Sequence, residues 1–177
     1  PSRDLSDAIR LWRFALTVFA GAGGLFGLTV GTILLLIHLA ALSSLPAVTL
    51  SGRRVMMMAN IGSPDEAAAA AAAGADGIGL FRSEFLYLGR NTLPDEEEQL
   101  GAYRAALTAM PGKPVIVRTL DIGADKKLDA LPTDDEENPA LGIRGVRFCL
   151  LNPAIFRTQL RALCRASAFG ELRVMLP

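Results

Sequence analysis

The hydrophobic pattern divides the chain into one long apolar segment and a series of short apolar runs. No Asp, Glu, Lys or Arg occurs from Phe14 to Leu50. Because about 20 apolar residues suffice for a helix to cross the core of a bilayer, the stretch from Phe14 to Leu42 predicts one transmembrane helix. A signal peptide is the alternative, but its apolar region would span only about 7 to 15 residues.

After Pro46 the pattern changes to short apolar runs that alternate with helix signals. Ser63, Pro64 and Glu66 have the spacing of a capping box, and an alanine tract follows until Gly74, which predicts a helix end. Further helices are predicted to begin near "TLPDEEEQ" and at Asn152. The predicted strands are Val55–Ile61, Gly77–Phe81, Pro114–Leu120 and Glu171–Pro177.

Strands that are apolar on both faces and alternate with helices predict a parallel sheet. The fold class is therefore α/β, either the first half of a TIM-type (β/α)8 barrel or a small open sheet. Periodicity alone leaves both possibilities open. The predicted organisation is a membrane-helix segment over residues 1–45 and an α/β domain over residues 46–177.

Charge and cysteine content exclude several classes of function. The chain has 18 Lys plus Arg and 18 Asp plus Glu, so no overall field attracts nucleic acid. Cys149 and Cys164 form neither a CxxC motif nor a Cys/His cluster. We interpret both as reduced cysteines without a redox or metal-binding role.

Three arginines are the candidate binding residues. Arg82 and Arg118 directly follow apolar strand runs, and Arg144 precedes the fourth unit's helix. The carboxyl ends of parallel strands are where ligands bind in α/β folds, and the planar guanidinium group suits phosphate or carboxylate. The alternative is that each arginine pairs with a carboxylate nearby in sequence, for which Glu84, Asp121 and Glu137 are available.

Longer motifs resemble a known enzyme family. The segments "MANIGSPDEAAAAAAAGADGIGLFRSEFLYLGRNTLPDEEEQ", "VIVRTLDIGADKKL", "EENPALGIRGVR" and "QLRALCRASAFGELRVMLP" are similar to the first half of the phosphoenolpyruvate-binding barrel of enzyme I of the sugar phosphotransferase system. The resemblance covers about residues 46–177. Pyruvate phosphate dikinase and phosphoenolpyruvate synthase share the barrel and its Arg-Ser/Thr-Glu signature, and they are the alternative relatives.

The resemblance implies a binding site and a reaction. The arginines that match Arg82 and Arg118 hold the phosphate of phosphoenolpyruvate (PEP), and the one that matches Arg144 lies in the same barrel mouth. The family transfers the phosphoryl group to an enzyme histidine with the help of Mg²⁺, passes it to a histidine-containing phosphocarrier protein, and forms homodimers. Its metal ligands, its acid cysteine and its phosphorylated histidine have no match here, so we expect no catalytic or metal-binding residue in this chain and no turnover by it alone.

The first 45 residues resemble another family. "IRLWRF" and "IHLAALSS" are similar to the sequences that flank the last membrane segment of GerA-type spore germination proteins. This resemblance implies a cytoplasmic location for the half-barrel, anchored to the membrane through residues 14–42. Three interpretations stay open: a fragment or mis-assembled reading frame, a genuine fusion, and a germination-related membrane protein with an incidental soluble tail.

Overall fold

A computed structural model describes residues 24–43, 45–123 and 137–177. The chain divides into two compact units, Pro1–Met56 and Met57–Pro177. The first unit contains helix α1 (Gly24–Ser43). Across the described ranges, no helix combines the length and the apolar character that a membrane crossing requires. The transmembrane helix predicted for residues 14–42 is thus not confirmed, and its first ten residues lie outside the described ranges.

The second unit is built on a four-stranded parallel sheet. Its strands are β1 (Met58–Ile61), β2 (Gly77–Arg82), β3 (Val115–Arg118) and β4 (Leu172–Met175). The strand order is β1-β2-β3-β4, and all neighbours are parallel. The predicted α/β class is therefore confirmed. All four carboxyl ends lie at one edge of the sheet, where the following loops meet.

The first crossover contains helix α2 (Asp65–Ala72). The predicted capping box is wrong in its detail: no side chain caps this helix, and the Glu66 carboxylate accepts a hydrogen bond from the Gly62 N–H at 3.0 Å. The predicted helix end is confirmed, because Gly74 has a positive φ of 85°, which glycine adopts without a Cβ clash.

Two longer helices, α3 (Glu96–Ala109) and α5 (Pro153–Ala166), pack against each other and against the sheet. Asp95 caps α3 by accepting a hydrogen bond from the Glu98 N–H at 2.8 Å. Three acidic residues follow in its first turn, where they suit the helix dipole. The buried core between helices and sheet includes Ile61, Ile78, Phe81, Tyr103, Leu107, Val115, Val117 and Leu163.

The structure adds one α-helix, shortens three of the predicted strands and extends β2 by one residue, to Arg82. Helix α4 (Gly145–Leu151) precedes α5 and was absent from the sequence-based prediction. Strand β1 begins three residues later than predicted, and β3 ends at Arg118 rather than at Leu120. β4 is mostly exposed, so the expectation of strands buried on both faces is wrong for this edge strand.

Candidate functional site

The carboxyl ends of β2 and β3 place two predicted site residues side by side. Arg82 and Arg118 are the last residues of their strands and are partners in the parallel register. Adjacent strands lie about 4.8 Å apart, and paired residues project from the same face. The sheet therefore presents both arginines at one edge and on one face, as the strand pattern predicted.

Arg118 is held by two carboxylates. Its Nη2 atom lies 2.5 Å from Glu84 Oε1 and its Nη1 atom 3.2 Å from Asp121 Oδ2. Glu84 is only 1% exposed, and a buried carboxylate requires a charged or hydrogen-bonding partner. These pairs fix the guanidinium group of Arg118 in one orientation.

Arg144 joins this group through the same aspartate. It occupies the N-cap position of α4, and its Nε and Nη2 atoms lie 3.1 and 3.2 Å from the two Asp121 carboxylate oxygens. This is the bidentate arrangement that guanidinium and carboxylate favour. Asp121 therefore brings Arg118 and Arg144 together, although they come from different βα units.

Arg82 differs from the other two arginines. Its guanidinium carbon lies 4.5 Å from the centre of the Phe85 ring, a cation–π contact. Its Nε atom, like that of Arg118, is buried without a hydrogen-bond partner among the described residues, but no described carboxylate forms an ion pair with Arg82. Its Nη2 atom would lie only 3.1 Å from a Cβ placed on Gly62, so the glycine after β1 leaves room for the guanidinium group.

The two sequence-based alternatives for the arginines therefore apply to different residues. Pairing with a carboxylate nearby in sequence is correct for Arg118, which pairs with Asp121 three residues later. Arg144 pairs with the same Asp121 at a separation of 23 residues, and Arg82 forms no ion pair within the described part of the chain. The arrangement can bind an anion, since guanidinium groups at one loop edge offer several charge-assisted donors. That the anion is a phosphate stays a prediction.

Sequence reasoning missed how the residue after Arg82 connects the two strands. The Ser83 hydroxyl donates a hydrogen bond to the Arg118 carbonyl at 2.6 Å, and Ser83 is fully buried. The sequence signal for this connection was the Arg-Ser-Glu triplet: Arg82 contacts Phe85, and Ser83 and Glu84 both contact Arg118. Gly62 and Gln159, which also contribute to this region, carried no signal because their partners are distant in sequence.

The cysteine and metal predictions, and the single histidine of the sequence, concern residues other than the three arginines. Burial, helped by the nearby Asp121 charge, raises the pKa of the Cys149 thiol to about 11, so it is a neutral thiol near pH 7. His38 lies in α1, in the other unit. Within the described ranges no three His, Cys, Asp or Glu side chains are grouped to hold a metal ion, so we assign none of the described residues to the Mg²⁺ that the resemblance implies.

Comparison with known protein families finds a match for each of two segments of the chain. The family model described as "PEP-utilising enzyme, PEP-binding domain" matches residues 38–177. The model described as "Bacillus/Clostridium GerA spore germination protein" matches residues 1–51. Both resemblances inferred from the sequence are therefore confirmed.

Curated relatives extend the first match. The phosphoenolpyruvate-protein phosphotransferase of Staphylococcus carnosus is 56% identical over 131 residues, which are 74% of this chain and 23% of the relative. The enzyme of that name from Cupriavidus necator is 56% identical over 135 residues, 75% of this chain and 23% of the relative. A multiphosphoryl transfer protein of Rhodobacter capsulatus is 52% identical over 132 residues, 75% of this chain and 16% of the relative. The chain spans less than a quarter of the length of these relatives.

Proposed function

The chain belongs to the family of PEP-utilising enzymes through their PEP-binding domain, and from this premise we propose that Arg82, Arg118 and Arg144 form a binding site for the phosphate of phosphoenolpyruvate. The observation that carries the proposal is the position of Arg82, a cation that forms no ion pair with any described residue and stands at the end of β2, next in register to Arg118. A cation kept in such a place at the ligand-binding edge of the sheet is available for an external anion.

The other two arginines, Arg118 and Arg144, support the proposed site because carboxylates already hold their side chains in place. Glu84 and Asp121 fix Arg118, and Asp121 also fixes Arg144. Side chains locked by such contacts lose less conformational freedom when a ligand binds. A phosphate group entering beside Arg82 would therefore meet donors that are already oriented.

The reaction we propose for the whole protein is phosphoryl transfer from PEP to a protein histidine, which releases pyruvate. Its proposed partners are a histidine-containing phosphocarrier protein and a second copy of the chain, and its proposed location is the cytoplasm. In such a transfer, fixed cations stabilise the charge on the transferring oxygens, and positioning supplies most of the catalysis. The three arginines would bind and orient the phosphate. Mg²⁺ would be held by residues of the whole protein other than those that the structure describes.

Calorimetric titration of the chain with PEP tests this proposal. We expect Arg82→Gln to weaken PEP binding by about tenfold to a hundredfold, since a hydrogen bond to a charged group contributes roughly 1.5–3 kcal/mol. Arg161→Gln is the matched control, because Arg161 is exposed and pairs with Glu96 on the surface of the helices. Absence of PEP binding by the parent chain, or an equal loss in both variants, would contradict the proposal.

For the N-terminal segment we propose a membrane-associated role. It is supported by the match of residues 1–51 to the spore germination family and by the absence of charged side chains from Phe14 to Leu50. We expect the full chain to stay with the membrane fraction after an alkaline carbonate wash and a variant lacking residues 14–42 to be released. Recovery of the full chain in the supernatant would rule out this role.

A further inference from the structure

A buried hydrogen-bond network lies directly beneath the arginine site. Its centre is Gln159 on α5, a fully buried side chain. Its Nε2 atom donates to the Ser83 hydroxyl at 3.0 Å and to the Tyr103 hydroxyl at 3.1 Å, and its Oε1 atom accepts from the Leu120 N–H at 2.9 Å. One amide therefore connects α5 with α3, with the residue after β2 and with the loop after β3.

The contacts of Gln159 lie next to the arginines. Ser83 follows Arg82 in the chain and also donates to the carbonyl of Arg118. Leu120 precedes Asp121, the carboxylate that Arg118 and Arg144 share. The amide thus contacts the Ser83 hydroxyl on one side of the site and the Leu120 backbone N–H on the other, and no hydrogen bond joins it to an arginine side chain of the site.

The directions of these bonds require an amide at position 159. The Ser83 hydroxyl donates its proton to the Arg118 carbonyl. It can therefore only accept a hydrogen bond from residue 159, so the side chain at that position must donate one. The Leu120 N–H requires an acceptor on the same side chain. Only an amide offers a donor and an acceptor at this length, and an apolar side chain would leave the buried N–H without a partner.

We propose that Gln159 is a positioning residue of the anion site, whose side-chain amide sets the spacing between the loop that carries Arg82 and the loop that carries Arg118 and Asp121. The inference rests on the proposed binding of phosphate by these arginines. It adds a residue from helix α5, separated by 76 residues from the Ser83 hydroxyl that it contacts.

Gln99 provides a matched control for this role. It is also a buried glutamine, and it accepts from the Tyr87 and Tyr103 hydroxyls and donates to the Pro94 carbonyl. It belongs to the same network but contacts neither Ser83 nor the loop after β3. Replacement of either glutamine by methionine keeps the side-chain volume and removes buried hydrogen bonds, so both variants test the same loss of stability.

Titration of the folded variants with PEP separates positioning from stability. We expect Gln159→Met to weaken PEP binding about tenfold, less than the roughly hundredfold effect of misplacing reacting groups by about 1 Å, and Gln99→Met to leave it unchanged. Ser83→Ala is expected to weaken binding as Gln159→Met does, and Ser83→Thr, which keeps the hydroxyl, to restore it. Equal affinities for the two methionine variants would overturn the proposal, as would full affinity in Ser83→Ala.

Hydrogen exchange on the same variants distinguishes a failure of this proposal from a failure of the proposed function. If the parent chain does not bind PEP, the proposed function fails for this chain, and exchange decides about Gln159. We expect Gln159→Met to accelerate exchange at Leu120 and at residues 82–84, and Gln99→Met to leave these amides protected. Unchanged protection of Leu120 in Gln159→Met would show that the amide does not hold the loop, and the positioning role would be wrong.

Discussion

Replacing Arg118 by glutamine is expected to produce the largest loss of stability of any single change at the site, about 3 kcal/mol in the free energy of unfolding. The reason is the environment of Glu84, whose carboxylate is 1% exposed and lies 2.5 Å from Arg118 Nη2. Removing the cation takes away the charged partner that lies 2.5 Å from a buried carboxylate, and it also removes one partner of Asp121. Urea unfolding followed by circular dichroism measures the change.

Two further variants show whether the buried charge is the cause. Arg161→Gln removes an exposed ion pair and should cost less than about 1 kcal/mol. The double variant Glu84→Gln/Arg118→Gln removes both buried charges, so it should regain part of the stability that Arg118→Gln loses, while PEP binding stays weak. If Arg118→Gln costs no more than Arg161→Gln, the ion pair with Glu84 contributes little, and the account of a held guanidinium group is wrong.

The Arg-Ser-Glu triplet, which begins at the last residue of β2, makes three separate contacts with consecutive residues. Arg82 lies against Phe85 at the loop edge, the Ser83 hydroxyl bonds the Arg118 carbonyl, and Glu84 pairs with the Arg118 side chain. The second and third contacts both join β2 to the end of β3. The triplet therefore supplies one proposed binding group, Arg82, and holds a second, Arg118, in place.

The sequence predicted the parallel sheet and the strand-end arginines because both depend on local signals. Apolar runs between helix signals identify strands, and an arginine at the end of such a run lies at the loop edge of the sheet. Helix α4 was not predicted because it begins at Gly145, and glycine in a sequence usually indicates a helix end. In the structure Gly145 has a positive φ of 53°. The Asn152–Pro153 pair then separates α4 from α5.

The contacts that organise the site could not be predicted in the same way. Glu84 and Arg118 are separated by 34 residues, and Ser83 and Gln159 by 76. Which buried amide contacts which hydroxyl depends on how α5 packs across the sheet. The hydrophobic periodicity of the sequence contains no information about this packing. The sequence proposed Glu84 as a partner for an arginine only because it stands two residues after Arg82.

Gly77→Ala is the second change with a large expected effect, and it acts at the opposite end of β2. A Cβ atom at Gly77 would lie 2.5 Å from the Pro114 carbonyl oxygen and 2.9 Å from the Met58 methyl carbon. The Pro114 carbonyl accepts a hydrogen bond from the Ile78 N–H at 2.9 Å, so it cannot retreat without disturbing the pairing of β2 and β3. We expect a loss of about 2–3 kcal/mol in the free energy of unfolding, the upper range for inserting a carbon into a packed interior.

Gly101→Ala is the matched control, because a Cβ atom at Gly101 would meet nothing within 4 Å. Gly101 lies within α3, where alanine is favoured over glycine by up to about 1 kcal/mol, so this variant should gain stability in the same urea titration. Gly77 lies at the amino end of β2, far along the strand from Arg82, and the folded fraction of Gly77→Ala should therefore keep the PEP affinity of the parent chain. Equal stability of the two alanine variants would show that the contact between Gly77 and Pro114 is looser than the structure indicates. A loss of PEP affinity in Gly77→Ala would mean that strain at the amino end of β2 reaches the arginines at its carboxyl end.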